Sequence, residues 1–273
     1  MKTKMKNLFK YFFLICFITT FTNVEGQTVY HELRTLKGNF TDFEVDALDN
    51  IYTIFGATVT KNSSPENSVF TYNNVKKYGK PTSVNVFNPF KVLLFYKTYQ
   101  TIVLLDKYMS SLGSINLRKS GLYKVNVIAS SYDNKIWAFD EQDYKLKKLN
   151  DDGIVVSEST DIRLILDDTP RFSSMFDASG KVILYDGNRG IYFFDYYGAF
   201  LDSIEIKDLK STGVSGNVFY GIYENEIFTV NIKSGIIHKM PIPEILKGSL
   251  FFKMNNDKIY SLSAEGIKII EWN

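Results

Sequence analysis

Cysteine occurs once in the 273 residues, histidine twice and proline six times. A single Cys excludes a disulfide framework and a Cys-based zinc site, and scarce Pro excludes a collagen-like or polyproline chain. Lys and Arg number 32 against 30 Asp and Glu, a net charge of +2, with basic residues scattered along the chain. That balance lacks the electrostatic footprint of a nucleic-acid binder. No apolar run reaches the ~20 residues of a membrane-spanning helix. No P-loop, dinucleotide Gly-rich turn or G-x-S-x-G nucleophile elbow occurs, Val214-Ser215-Gly216 coming nearest and reading as a loop turn. What the chain does have is apolar and aromatic mass: 45% hydrophobic residues, with 22 Phe and 18 Tyr. Such a chain can build a sizeable core and favours strands.

The first residues read as an address. Lys2, Lys4, Lys6 and Lys10 precede the short apolar run Tyr11 to Phe21, followed by polar Thr22 and Asn23 and a small Gly26. This is the pattern of a secretory signal peptide cut after Gly26, leaving residues 27–273 as one domain. Cys16 lies inside the apolar run behind Ile15, which argues against lipidation. Removing the leader takes four Lys, Glu25 and the only Cys, so the remaining chain is slightly acidic and thiol-free. The expected destination is the periplasm, with outer-membrane association as an extension of that reading.

The rest of the chain repeats. Asn50–Phe55, Lys91–Tyr96, Lys135–Phe139, Lys181–Tyr185, Glu226–Val230 and Lys258–Leu262 are short runs rich in β-branched and aromatic residues, which read as strands. The units align further: Asp177–Gly180 leads one strand, Gly190–Asp195 makes a second and Tyr196–Leu201 begins a third. Asp106, Asp195 and Asn231 recur at strand ends, where a side-chain oxygen organises a turn. Repeats of ~40–50 residues with three or four strands each indicate a β-propeller, and the length allows about six blades. Runs such as Val92-Leu93-Leu94-Phe95 are apolar on both faces, as a strand between two other blades must be. The last unit, with strands near Phe251–Met254, Lys258–Ser263 and Ile267–Trp272, lacks an outer strand, and Thr28 to Leu36 is a spare one. The expected fold is therefore an all-β six-bladed propeller whose N-terminal strand pairs with the last blade and closes the ring.

Phe43-Glu44-Val45-Asp46 with Asn50-Ile51-Tyr52, and the unit from Asp177 to Leu201, resemble NHL-type repeats of six-bladed propellers. The Lys, Asn, Ile, Tyr and Phe-rich style, with its short Lys-rich leader, is similar to periplasmic propellers of Bacteroidota. Some proteins of that kind are accessory subunits of outer-membrane machinery, including a periplasmic plug on the type IX secretion channel. That resemblance is one of type and compartment. Because the architectural signal is complete and no chemical one accompanies it, the expected function is a non-enzymatic protein-interaction subunit, with an outer-membrane channel as one class of partner and no cofactor.

Two other functions stay open on the residues. A calcium-dependent hydrolase or lactonase would gather Asp, Asn and Glu at a mouth of the central channel. Asp151-Asp152, Asp161 and Asp167-Asp168 are candidate oxygen ligands, read first as solvated loop charges without EF-hand spacing. A glycan- or ligand-binding propeller would expose aromatic rings in a pocket at the channel mouth. His31 and His238 read as edge or surface residues, and no catalytic, cofactor or metal residue is assigned. Candidate partner contacts are Lys61 and Pro65 in a polar insertion over 57–68 that breaks the repeat, Arg163 and Arg171 in a second long connection departing from it over 160–172, and the turn pair Tyr196 and Tyr197. Asn39-Phe40-Thr41 and Asn62-Ser63-Ser64 match the glycosylation sequon, which has meaning only in a eukaryotic secretory route.

Overall fold

Strand-forming runs separated by turn residues pair in sequence order, and each group of four makes one antiparallel sheet. The computed structural model describes residues 30–64, 67–166 and 169–272. The leader, Pro65 and Asp167-Asp168 lie outside the described residues. Blade 1 holds β2 (Asp42–Val45), β3 (Ile51–Phe55), β4 (Thr58–Asn62) and β5 (Val69–Asn73). Blade 2 holds β6 (Ser83–Asn88), β7 (Lys91–Tyr96), β8 (Thr101–Leu105) and β9 (Ser111–Asn116). Blade 3 holds β10 (Val125–Ser130), β11 (Ile136–Asp140), β12 (Lys145–Leu149) and β13 (Val155–Glu158). Blade 4 holds β14 (Ser174–Ala178), β15 (Lys181–Asp186), β16 (Gly190–Phe194) and β17 (Phe200–Glu205). Blade 5 holds β18 (Lys210–Ser215), β19 (Val218–Tyr223), β20 (Glu226–Asn231) and β21 (Ile237–Pro241). Blade 6 holds β22 (Phe251–Asn255), β23 (Lys258–Ser263) and β24 (Gly266–Trp272), completed by β1 (Tyr30–Lys37) from the other end of the chain. The molecule is an all-β six-bladed propeller.

Ring closure has the predicted form. β1 runs antiparallel to β24, from Tyr30 opposite Trp272 to Lys37 opposite Gly266, with one bulge between Glu32 and Arg34. Gly266 is required there: its φ is +133°, and a Cβ would stand 2.2 Å from the Leu36 carbonyl oxygen. Only glycine lets the closing strand come that near.

Six hydrophobic clusters replace a single core, one at each seam between neighbouring blades. Strand periodicity explains how one run serves two seams. On β7, Val92, Leu94 and Tyr96 face blade 1, while Leu93 and Phe95 face blade 3. On β15, Val182 and Leu184 face blade 3, while Ile183 and Tyr185 face blade 5. Every residue of β7 is buried for this reason. Aromatic side chains fill the wedges, as in the stack of Phe43 on Phe251 (5.4 Å between centroids) at the closing seam.

One expected insertion is absent. Thr58–Asn62 is the third strand of blade 1, paired along its length with β3 and β5. β-branched Thr58, Val59 and Thr60 suit a strand despite their polar neighbours, and Gly56 (φ +59°) makes the preceding turn. The connection over 160–172 does depart from the repeat, with a short 3₁₀ turn at Ile162–Leu164 capped by the Asp161 side chain.

Candidate functional site

The first strands of all blades (β2, β6, β10, β14, β18 and β22) line a central channel. They run in the same direction. Their C-terminal ends surround an upper cavity of about 500 Å³, and their N-terminal ends a lower one of about 530 Å³. Because each blade is antiparallel, the turns after its first and third strands lie on the upper face.

The two cavities differ in chemistry. The lower is walled by hydroxyls and amides: Thr82, Ser83, Asn126, Ser174, Ser211 and Thr212. The upper is walled by Val45, Val86, Phe87, Phe176, Val214 and Met254, with Tyr132 and Tyr196 beside them. Phe87 is half exposed there and Tyr132 is 59% exposed. Other exposed apolar side chains sit in the upper turns, among them Leu48, Phe90 and Tyr197. The lower face exposes Phe55 at the end of β3, and Tyr99, Tyr123, Leu164 and Leu250 on connections between strands, around a hydrophilic cavity.

Glu44 and Lys253 divide the cavities, contributing to the walls of both. Their ion pair measures 2.8 Å across the closing seam, with the side chains 28% and 18% exposed. Burial and then the neighbouring Asp42 charge push the Glu44 carboxyl above its ordinary range, against the pull of Lys253. Burial works against the Lys253 ammonium, but the charge and hydrogen bond of Glu44, with Tyr220 and Asp42, together outweigh it and raise Lys253 above its usual range. Burial also pushes the Tyr220 hydroxyl up to about 12. That hydroxyl accepts the Met254 N–H at 2.8 Å.

An aromatic cluster forms the blade 3 and 4 side of the mouth. Tyr132 stacks on Tyr196 at 4.5 Å and 19°. The buried Lys148 ammonium lies 4.6 Å from the Trp137 ring, 5.1 Å from Tyr132 and 5.5 Å from Tyr196, and bonds Asp133 at 2.9 Å. Asp177 anchors the cluster from below. It accepts from Ser131 Oγ (2.9 Å), Trp137 Nε1 (3.1 Å), Tyr132 N (3.3 Å) and Tyr196 Oη (2.7 Å). Burial, with that hydrogen bond and charge, raises the Tyr196 pKa.

The predicted contact residues do not form one site. Tyr196 and Tyr197 lie on the upper face, Tyr197 85% exposed and Tyr196 lining the mouth. Arg163 and Arg171 lie on the lower face. Arg163 is held by both oxygens of Asp161 and covers the Tyr144 ring, and Arg171 borders a lower groove. Lys61 is a correction: it sits on strand β4, 4% exposed, its ammonium bonded to the Lys107 carbonyl at 3.0 Å and near the Tyr52 ring. The alternation of β4 turns it inward, so it is not a partner contact. Pro65 lies outside the described residues.

The acids that suggested calcium are likewise separated. Asp151, in the upper turn after β12, pairs with Lys91 at 2.7 Å, whereas Asp161 caps the lower 3₁₀ turn. Among the described residues no group of three or more His, Cys, Asp or Glu is arranged to hold a metal ion. His31 and His238 lie exposed on the outermost strands β1 and β21, away from both cavities. Phe87, Phe176 and Met254 were not singled out in the sequence. Their positions at the ends of first strands were the one available signal, and only with the blade phase known.

No family model matches this chain, and no curated protein does. Solved structures do. A streptogramin B lyase aligns over 90% of this chain and 98% of its own, at 10% identity and TM-score 0.61. The Neurospora crassa Pan2 WD40 domain aligns over 86% and 79%, at 10% identity and TM-score 0.61. A catalytically inactive histidine-to-alanine variant of Staphylococcus aureus virginiamycin B lyase, with quinupristin, aligns over 91% and 86%, at 12% identity and TM-score 0.58. At such identities the likeness is one of fold, shared by enzymes and WD40 domains alike. Among the described residues no helix is long and apolar enough to cross a membrane.

Proposed function

We propose that this chain is a non-enzymatic binding propeller that docks a protein partner on its upper face. The observation that carries the reading is the upper mouth: a cavity with apolar and acidic side chains in its wall, rimmed by half-exposed Phe87 and Tyr132 and set among turns exposing Leu48, Phe90 and Tyr197. Exposed aromatic side chains on rigid turns are the usual anchors of protein interfaces, because they bury much area at little entropy cost. The rigidity comes from the Asp177 network and the blade seams. The proposal assigns no metal or cofactor, and sets the protein in the periplasm as an accessory subunit of outer-membrane machinery. The leader-like first residues and the resemblance to periplasmic propellers support that setting.

Affinity purification of the full chain from native membranes tests the reading. The wild type should elute with a stoichiometric protein, and the pair of substitutions Phe90→Asp and Tyr197→Asp should abolish its recovery while leaving the melting temperature unchanged. Recovery of the wild type only as a free monomer would sink it. The aromatic mouth also favours the ligand-binding reading, in which a small amphipathic molecule occupies the upper cavity. Saturable binding of an uncharged oligosaccharide there would establish that reading instead.

A further inference from the structure

The upper mouth combines acidic walls with aromatic faces, and the charge count there is lopsided. Among the described residues, Glu44, Asp46 and Asp177 line the upper cavity with one cation, Lys253, which pairs with Glu44. Asp42 adds a further carboxylate just below, in the lower cavity. Asp46 and Asp177 are buried, and the hydrogen bonds they accept come from donors that carry no charge. Asp46 accepts from the Leu48 and Asn50 N–H groups, Asn50 Nδ2 and Tyr52 Oη, as Asp177 does from its four partners. Three carboxyl side chains against one ammonium make the lining formally acidic, and a lining of one sign attracts the opposite charge.

The rim chemistry has the same preference. The faces of Phe87, Tyr132 and Tyr196 are electron-rich, and a cation over such a face is favoured. The molecule already uses this cluster in that way, since the Lys148 ammonium rests against Tyr132, Tyr196 and Trp137. Ser130 gives a third, independent sign. It lines the upper cavity, is 2% exposed, and its hydroxyl has no hydrogen-bond partner. A buried hydroxyl left without a partner is unfavourable.

Resting on the reading of the upper face as a docking surface, we infer that the partner presents a basic side chain, on an extended loop, that enters this mouth. The guanidinium or ammonium stacks against the Phe87 and Tyr132 rings. Its N–H groups face Glu44 and the acid-lined wall, and the stem packs on Val86, Val214 and Met254. Charge complementarity selects this occupant over an acidic or neutral loop. A cavity of about 500 Å³ takes one long side chain and the backbone on either side of it.

The test uses the purified chain and defined probes, so that it is independent of whether a partner is captured. N-acetyl-arginine amide, N-acetyl-lysine amide and the neutral isostere N-acetyl-citrulline amide are titrated at low and high salt, with binding followed by NMR. The two cationic probes should saturate, with the arginine probe at least about tenfold tighter than citrulline and weakened by salt. Phe87→Ala, an exposed substitution, should weaken the arginine probe by about threefold and leave the melting temperature unaltered. Glu44→Gln should weaken it by about tenfold. If that variant does not fold, the Phe87 variant and the citrulline comparison decide. Equal binding of arginine and citrulline, or no saturable binding of either, overturns the inference. A partner still captured through Phe90 and Tyr197 would then leave the docking reading standing without it.

Discussion

Asp177 shows what a single residue does here. In the sequence it leads a strand, and a turn is the obvious role for it. In the fold its carboxylate crosses to blade 3 and takes donors from Ser131, Tyr132 and Trp137, then binds Tyr196 of its own blade. By contrast Asp106, Asn150, Asp195 and Asn231 do act as turn residues. Each accepts backbone N–H groups two to four residues ahead, as Asp195 does from Tyr197 and Ala199 at 2.8 Å. Local turn chemistry was legible because it is set by neighbours in sequence. The Asp177 network was not, because its blade 3 donors lie 40 to 46 residues away. Asp177→Ala should strand the Trp137 N–H and the Tyr196 hydroxyl and cost about 2–4 kcal/mol in urea unfolding. It should also return the Tyr196 titration toward the ordinary phenol range. A loss under half a kcal/mol would mean that the network is ornamental.

At the scale of the strand, the repeat carries a second signal whose purpose the sequence hides. Lys91, Lys181 and Lys258 each open the second strand of a blade, and each reaches into the next blade. Lys91 bonds the Asn134 carbonyl and Asp151, Lys181 the Ile232 carbonyl at 2.7 Å, and Lys258 the Asp49 carboxylate at 2.5 Å. The recurring Lys was visible as part of the pattern, but an acceptor 40 or more residues away was not. The closing strand was legible for a different reason: an unpaired edge is costly, and the last unit was one strand short. Removing residues 27–37 should lower the melting temperature sharply. Gly266→Ala should do much the same, because its Cβ would meet the Leu36 carbonyl. An unchanged melting temperature in both would contradict the closure. On β7, Leu93→Ala should cost about 2–5 kcal/mol, as expected of a fully buried Leu at a seam.

At the scale of the molecule, the ring is stapled by carboxylates, and this fixes its response to acid. Burial raises the Asp49 carboxyl, but hydrogen bonds from Lys258, Tyr260 and Asn255 across the closing seam outweigh it and hold the group below its ordinary range. For Asp133 too, burial is outweighed by Lys135 and Lys148. A carboxyl depressed in the folded state binds its proton more tightly when unfolded. Its stabilisation is therefore complete above about pH 4 and is lost as the pH falls through the folded value. The melting temperature should hold from pH 7 to about 5 and fall below 4. Asp49→Asn should start lower and lose less. A flat profile to pH 2 would contradict the assignment.

The six-bladed count was legible because blade period and strand hydrophobicity are local. The mouth was only partly so. Tyr196 and Tyr197 were readable as an exposed turn pair, whereas Phe87, Phe176 and Met254 become a wall only when six first strands are brought round one axis.

The most direct test of the docking account places a photo-crosslinking amino acid at Phe87 or Phe90 on the upper face, and at Leu164 or Tyr99 on the lower face. Each variant is produced in the native cell. The account predicts one protein adduct from the upper positions, carrying the crosslink beside an Arg or Lys, and none from the lower ones. Adducts from the lower positions alone, or from neither face, would contradict it.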